Sequence, residues 1–338
     1  MAERIRDIRD VARAAGVSVG TVSNVLNRPD LVAPATRERV ERVIARSGFV
    51  RNASARQLRQ GRTRTIGLVV HDVMNPFFAE VARAAEDAAV ERGYLLYLCN
   101  SAGSAEKESA YLRALLEQQV SGVLLSPLRE MPDVVTTLRS RGTPVVLVDR
   151  ASDRPDQCST AVDDVHGGDL AASHLLAAGC TRIGLVTGPW TTRQFADRRA
   201  GVRRALRRAK LPVREHLREV IVPEMMTPAA GERAAGELLT SWTPDGIFCA
   251  NDVLALGVLR GLLHHGVRVP RDVAVVGYDD IELASAAPVS LTSVRQPTAE
   301  VSRRAGELLL DECDHPADHR HQQLVFKPEL VVRESTHG

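Results

Sequence analysis

No stretch of this 338-residue chain approaches 18 uninterrupted apolar residues, and no early apolar run follows a basic leader. Both absences argue against membrane spanning and secretion, so a cytoplasmic protein is expected. Paired cysteines are missing too. Cys99, Cys158, Cys180, Cys249 and Cys313 are scattered, with no C-x-x-C. That suits reduced thiols rather than a disulfide framework or a zinc site. GLVTGP (184–189) lacks the Gly-Lys-Ser/Thr ending of a phosphate loop, so nucleotide hydrolysis has no support. No Ser-His-Asp or paired-carboxylate arrangement stands out, so no catalytic residue, no cofactor and no enzyme activity is assigned. His315, His319 and His321 in HPADHRH invite a metal, but Pro316 and the surrounding charges read as a surface loop, and no metal is assigned.

What is present is an ordinary globular composition, 44% apolar and 25% charged, long enough for two or three compact units. The net charge of +2 hides an asymmetry. Residues 1 to 64 hold 14 Arg and no Lys against 6 Asp plus Glu, while the rest holds 30 basic against 36 acidic residues. A small basic unit on a mildly acidic body suits a partner bearing phosphates, although an arginine-rich solubilising surface would look the same.

DVARAAGVSVGTVSNVLN (10–27) separates these readings. Ile8, Val11, Ala12 and Ala15 fall on one face of a two-turn helix. Gly16 can end it in the left-handed conformation, and Ser18 can cap a second helix with Val22, Val25 and Leu26 inward. A third helix is expected from Pro34, turning Thr36, Val40, Val43 and Ile44 inward. Helices this short are marginal alone and must share one core. The second then has a face with nothing to bury, carrying Val19, Gly20, Thr21, Ser23 and Asn24. Small residues allow close backbone approach, hydroxyls suit phosphate oxygens, and asparagine can pair with adenine. This is a helix-turn-helix with its recognition helix second.

DVARAAGVSVGTVSNVLN followed by TRERVERVIARSGF resembles the DNA-binding headpiece of the lactose/galactose repressor (LacI/GalR) family. The resemblance continues in order through NPFFAEV (75–81), LVTGP (185–189), ANDVLALGVL (250–259), RVPRDVAVVGYDD (268–280), LTSVRQP (291–297) and LVVRES (330–335). It implies that Val19, Gly20 and Asn24 face base edges, with Thr21, Ser23 and Asn27 mostly on the sugar–phosphate backbone beside the capping Ser18. Val19 could instead pack on its neighbour at the helix start. RNASARQLRQGRTR (51–64) then matches a hinge helix that orders on the operator, with Leu58 wedged into the minor groove and Arg56 and Arg59 near phosphates or the groove edge. Arg51 stands where a proline commonly precedes that helix. A flexible basic linker is the simpler alternative.

From about Thr65, short apolar runs alternate with helical stretches, which gives parallel sheets with helices on both faces. The resemblance implies a periplasmic-binding-protein-like core of two subdomains, about 65–163 with 297–322 and about 166–294 with 325–338, after a headpiece (1–50) and hinge (51–64). The chain would cross between them near Asp164, Arg295–Gln296 and Leu324–Phe326. Ligands bind beyond the carboxyl ends of such strands. The residues there are Asn75, Phe77, Phe78, Asp149, Thr192, Gln194, Arg198, Asn251 and Asp279. By resemblance, Arg198, Asn251 and Asp279 hold sugar hydroxyls or a nucleobase, and Phe77 and Phe78 line the pocket. Met226 stands where several relatives place a stacking aromatic, which favours a sugar-like effector over a purine. Simpler roles exist for five of these positions: a helix cap for Asp279, a turn for Asp149, core for the two phenylalanines, and a solvated basic face for Arg198.

The expected whole is a repressor that reads an inverted repeat of double-stranded DNA as a homodimer, with a small molecule in the cleft moving the hinges. The chain stops after LVVRESTHG without added heptads, which favours a dimer. A protein co-effector is the alternative regulator, and a solute-binding protein would share the cleft but not the headpiece.

Overall fold

The computed structural model describes residues 7–47, 49, 63–129, 131, 133–222 and 226–337. Two units emerge, divided between Thr63 and Arg64. In the first, Asp7 caps α1 (Ile8–Ala15) by accepting the amides of Arg9 and Asp10 at 2.8 and 3.0 Å. Gly16 ends that helix at φ 64°, a conformation a side chain disfavours. Ser18 caps α2 (Val19–Asn27), and α3 spans Pro34–Ser47. Val11, Ala12, Ala15, Val22, Val25 and Val40 form the shared core, with Leu26, Val43, Ile44 and Phe49 against it. The cap at Asp7 is a feature the apolar spacing could not reveal.

The second unit contains two six-stranded sheets among the described residues. Its strands are β1 (Thr65–Val70), β2 (Leu95–Asn100), β3 (Gly122–Leu125), β4 (Val145–Val148), β5 (Ser159–Val162), β6 (Ile183–Thr187), β7 (Leu217–Ile221), β8 (Gly246–Cys249), β9 (Ala274–Asp279), β10 (Thr292–Arg295), β11 (Gln323–Phe326) and β12 (Glu329–Val331). The first sheet runs β11-β5-β4-β3-β1-β2 and the second β12-β10-β9-β8-β6-β7. Pairing is parallel except at β12, which runs antiparallel to β10. Alternation explains why helices cover both faces. Ile66, Leu68 and Val70 point into one core with Phe77 and Val81, while Val69, Val123 and Leu125 point into another with Leu112 and Leu115.

The chain passes between sheets three times: after β5, after β10 and after β11. The helix Thr298–Asp314 returns to the first sheet, where Val301, Ala305 and Leu309 join its core. The crossing expected at Leu324–Phe326 lies just beyond it. Leu324 and Phe326 pack on the first core and Phe326 pairs with Val162, so the chain leaves only at Lys327–Pro328.

The surface-loop reading of HPADHRH also needs correction. His315 is exposed, but the His319 side chain is only 2% exposed and lies 3.2 Å from the Cys158 sulfur. Tertiary packing draws this loop onto the start of β5. Charge and proline content carried no sign of it.

Candidate nucleic-acid interface and ligand cleft

On α2 the buried and open faces divide cleanly. Val22 and Val25 are buried, while Val19 is 43% exposed and Gly20 and Asn24 lie in the open. Ser18 Oγ accepts the Thr21 amide at 3.0 Å and lies 2.9 Å from Thr21 Oγ1. Asn27 Nδ2 donates to the Ser23 carbonyl at 2.8 Å, so these polar side chains are held at the surface. A Cβ on Gly20 would meet only Ser18 Oγ, at an ordinary 3.6 Å. Among the described residues, packing therefore gives no reason for a glycine that costs about 1 kcal/mol relative to alanine in a helix. Arg56, Leu58 and Arg59 lie outside the described residues.

In the second unit, a cavity of about 390 Å³ opens beyond the carboxyl ends of the strands of both sheets. Asn75, Phe77, Phe78 and Asp149 reach it from the first half. Thr192, Gln194, Arg198, Met226, Asn251 and Asp279 reach it from the second. All ten expected residues thus meet at one place. His71, Phe195 and Gln296 line it as well. His71 follows β1 directly, and Gln296 lies in LTSVRQP at the second crossing, so both positions carried a legible signal.

Arg198 is placed by backbone contact. A Cβ at Gly168 would stand 2.0 Å from the Arg198 carbonyl oxygen, and one at Gly201 would stand 2.1 Å from that of Val165. The helices Asp164–Ala177 and Arg193–Arg208 can press together there only because both residues are glycine. That contact buries Arg198 beside Asp164, Nε to Oδ1 at 2.7 Å, with its guanidinium 3.6 Å above the Tyr278 ring. Tyr278 Oη donates to the same Asp164 oxygen at 2.8 Å. The arginine belongs to a buried network, not to a solvated basic face.

Hydrogen bonds tie the halves together across the cavity. Asn75 caps the helix Pro76–Glu91 through Oδ1 and donates through Nδ2 to Asp279 Oδ2 at 3.3 Å. Gln296 donates to Asp279 Oδ1 at 2.8 Å, and Gln194 donates to the Asp149 carbonyl and carboxylate at 2.7 and 3.1 Å. Thr192 Oγ1 donates to the Leu128 carbonyl at 3.2 Å. Asp279 caps no helix, since the turn that follows has Ile281 at its cap. Both aspartates lie at positive φ, 59° for Asp149 and 104° for Asp279. Such strain in a non-glycine residue persists where surrounding contacts hold it, typically at ligand sites. Phe77 and Phe78 serve two roles, as members of the first core and as cavity wall. Asn251 caps the helix Asp252–His264 and donates to the Met226 sulfur at 3.3 Å. Asp252 next to it turns away, accepting from Ser293 Oγ and the Ile281 amide.

Burial pushes the Asp149 carboxyl up to about 8, the negative charge of Asp164 adding to it and Arg198 opposing. Burial raises Asp279 to about 6 against the pull of Arg198 and its two amide partners. Burial lowers His71 to about 4, so it is neutral near pH 7. For Arg198 burial works against the charge, but Asp164, Tyr278, Asp279 and Asp149 together keep it firmly protonated. A carboxyl raised in the folded state contributes stability that is full below its unfolded value and is lost as pH rises through its folded value. His71 acts in the opposite sense, but only below about pH 6.5. Between pH 6.5 and 8, Asp149 should therefore lower the unfolding free energy by up to about 1.4 kcal/mol per pH unit. Denaturant melts of Asp149→Asn beside the parent test this. The variant should fall less steeply with pH, and identical slopes would show that Asp149 ionises normally in the fold.

These features define a class: a helix-turn-helix unit followed by a two-lobed, periplasmic-binding-like core with a ligand-sized cleft. Residues 7–52 match "Bacterial regulatory proteins, lacI family", and residues 172–336 match "Periplasmic binding protein-like domain". The HTH-type transcriptional repressor PurR of Aliivibrio fischeri (strain MJ11) is 35% identical over 333 residues, 97% of each chain. Among solved structures, a transcriptional regulator CelR–cellobiose complex is 34% identical, with a TM-score of 0.72 over 98% of this chain and 100% of that one. A lac repressor dimer bound to operator and the anti-inducer ONPF aligns at 27% identity and a TM-score of 0.83 over 99% of both. The chain belongs to the lacI family and is a DNA-binding transcriptional repressor.

Proposed function

We propose that this repressor binds a pseudo-palindromic operator as a homodimer in the cytoplasm, and that a sugar or sugar derivative in the cleft controls that binding. The observation that carries the ligand class is the polar lining of the cavity, where Asn75, Asp149, Gln194, Arg198, Asn251 and Asp279 surround the Phe77–Phe78 wall. Such a set of donors and acceptors suits a ligand rich in hydroxyls. Hydroxyls suit Asp149 in particular, because a hydroxyl can donate to its carboxylate or accept from its protonated form. A purine offers fewer donors and needs a flat platform. Phe77 and Phe78 meet edge to face, at 76° between ring planes, and Met226 supplies no ring where a stacking aromatic is expected, which leaves Phe195 as the other phenylalanine of the lining. The relative solved with cellobiose supports the same reading.

The dimer rests on the free edge of the first sheet, where β2 exposes Leu95, Tyr97 and Leu98 by 65, 49 and 46%. An edge strand with this much exposed apolar surface is a natural pairing surface. The relative solved on its operator is a dimer. In such a dimer Val19 and Asn24 read bases, Ser18, Thr21, Ser23 and Asn27 engage the backbone, and the 51–64 hinge with Arg56, Leu58 and Arg59 enters the minor groove. Cleft closure moves the hinges, and the effect on DNA is limited to the ligand's differential affinity for the two states.

Operator footprinting with a panel of sugars, polyols and nucleosides tests the proposal. The expected result is two-fold symmetric protection, with operator affinity shifted about 5- to 150-fold by at least one sugar. Asymmetric protection would overturn the dimer. A shift by nucleobases alone would overturn the ligand class.

A further inference from the structure

Far from the cleft chemistry, four side chains converge at the opposite ends of the first sheet's strands. Cys158 immediately precedes β5 and is fully buried. Glu312 lies in the last turn of the helix Thr298–Asp314, and His319 and His321 lie in the loop leading to β11. Cys158 Sγ stands 3.2 Å from His319 Nε2 and 3.7 Å from His321 Nδ1. Glu312 Oε2 stands 3.7 and 3.9 Å from the same two nitrogens, and all four atoms lie within 4.8 Å of one another. Tetrahedral zinc, with bonds of about 2.3 Å to sulfur and about 2.0–2.1 Å to nitrogen, sets ligand atoms roughly 3.3–3.6 Å apart. The four contacts above lie within roughly half an ångström of these spacings, and no two of the ligand atoms are more than 4.8 Å apart, so binding would draw them inward by side-chain movement.

The surroundings prepare the site for a cation. Asp311 Oδ2 accepts from His319 Nδ1 at 2.7 Å, which leaves the Nε2 lone pair aimed at the centre. At 3.2 Å the Cys158 thiol can donate to that lone pair, and the Glu312 carboxylate faces it at 3.7 Å as a second acceptor, so a cation in place of the thiol proton would be shared by all three. A carboxylate on the outer nitrogen of a histidine is the usual support of a metal ligand, fixing its tautomer and raising its basicity. The Gln322 amide donates to Cys158 Sγ at 3.3 Å, which helps fix the position of the sulfur.

We propose that Cys158, Glu312, His319 and His321 bind one Zn²⁺ in a closed tetrahedral site. One thiolate, two imidazoles and a carboxylate suit Zn²⁺ or its substitute Co²⁺ better than the hard ions Mg²⁺ or Ca²⁺. Four protein ligands leave no open position, so the ion is structural rather than catalytic. It ties together the starts of β5 and β11, which pair in register from Ser159 with Gln323. The far ends of the same two strands lead into the first and third crossings, so the ion fastens the edge of the sheet from which the chain leaves for the second half.

The test uses the full-length, tag-free protein, stripped with chelator and titrated with Co²⁺. One equivalent should produce visible tetrahedral d–d bands with a thiolate-to-cobalt charge-transfer band, and one equivalent of Zn²⁺ should bleach both. Cys158→Ser should remove the charge-transfer band. The exposed His321 permits a second variant that keeps the fold, and His321→Ala should weaken Zn²⁺ binding at least tenfold with an unchanged circular dichroism spectrum. Absence of a charge-transfer band in the parent, or equal Zn²⁺ affinity in parent and His321→Ala, would overturn the site. Operator and sugar binding play no part in these readouts.

Discussion

Asn24→Ala is expected to reduce affinity for the cognate operator by at least roughly 30-fold. Asn24 is exposed on a helix whose opposite side, at Val22 and Val25, is buried in the headpiece core. Removing its amide should therefore leave folding untouched while deleting a paired donor and acceptor. A good bidentate base contact discriminates by about 1–3 kcal/mol, and the proposed dimer loses it twice, about 2–6 kcal/mol in all. At about 1.4 kcal/mol per tenfold, this spans roughly 30-fold to more than 10,000-fold. The salt dependence separates this role from a phosphate contact. Loss of base reading leaves the slope of log affinity against log salt unchanged, whereas loss of a phosphate partner reduces it by about one. Fluorescence anisotropy at several salt concentrations, with operator and scrambled duplex, measures both. A change below about threefold, or an equal loss on scrambled DNA, would remove Asn24 from base reading.

Arg198→Met should damage both stability and ligand binding. The guanidinium is nearly fully buried between Asp164 and the Tyr278 ring and also donates to the Ala250 carbonyl. Its removal strands the Asp164 carboxylate in the interior with the Tyr278 hydroxyl as its remaining described partner. Breaking one side of such a buried pair typically costs about 3–5 kcal/mol. For a unit of this size that lowers the melting temperature by on the order of 10 °C. Adding Asp164→Asn removes the stranded charge and should restore most of the stability. Binding of the proposed sugar ligand should remain at least roughly 100-fold weaker in both variants, because the cavity has lost its buried guanidinium. Calorimetric melts of parent, single and double variants decide the question. A single variant as stable as the parent, or a double variant no more stable than the single, would mean that the ion pair does not hold the second half together.

Much of this protein is legible in its sequence alone. The headpiece depends on near neighbours: apolar residues at helical spacing, Gly16 at a turn, Ser18 at a cap. These are decided within a few residues, so a short window contains the cause. The cleft residues could be found for a related reason. In parallel sheets ligands meet the carboxyl ends of strands, so reading the few residues at and after the end of each apolar run leads to Asn75, Asp149, Asn251 and Asp279 without knowing how the strands pair. All four line one cavity.

Other features were set by contacts between distant segments. Arg198 could have faced water, and two glycines on facing helices decided otherwise by letting the backbones touch. The third crossing moved past Phe326 because that side chain packs on the first core. The Cys158, Glu312, His319 and His321 cluster joins positions more than 150 residues apart in the chain, and nothing around HPADHRH announces the sulfur beside it. Local pattern thus determined the elements, their order and the strand ends that carry ligand chemistry. Which polar groups are buried together was decided only in the tertiary structure, because burial and ion pairing depend on what packing brings from elsewhere in the chain.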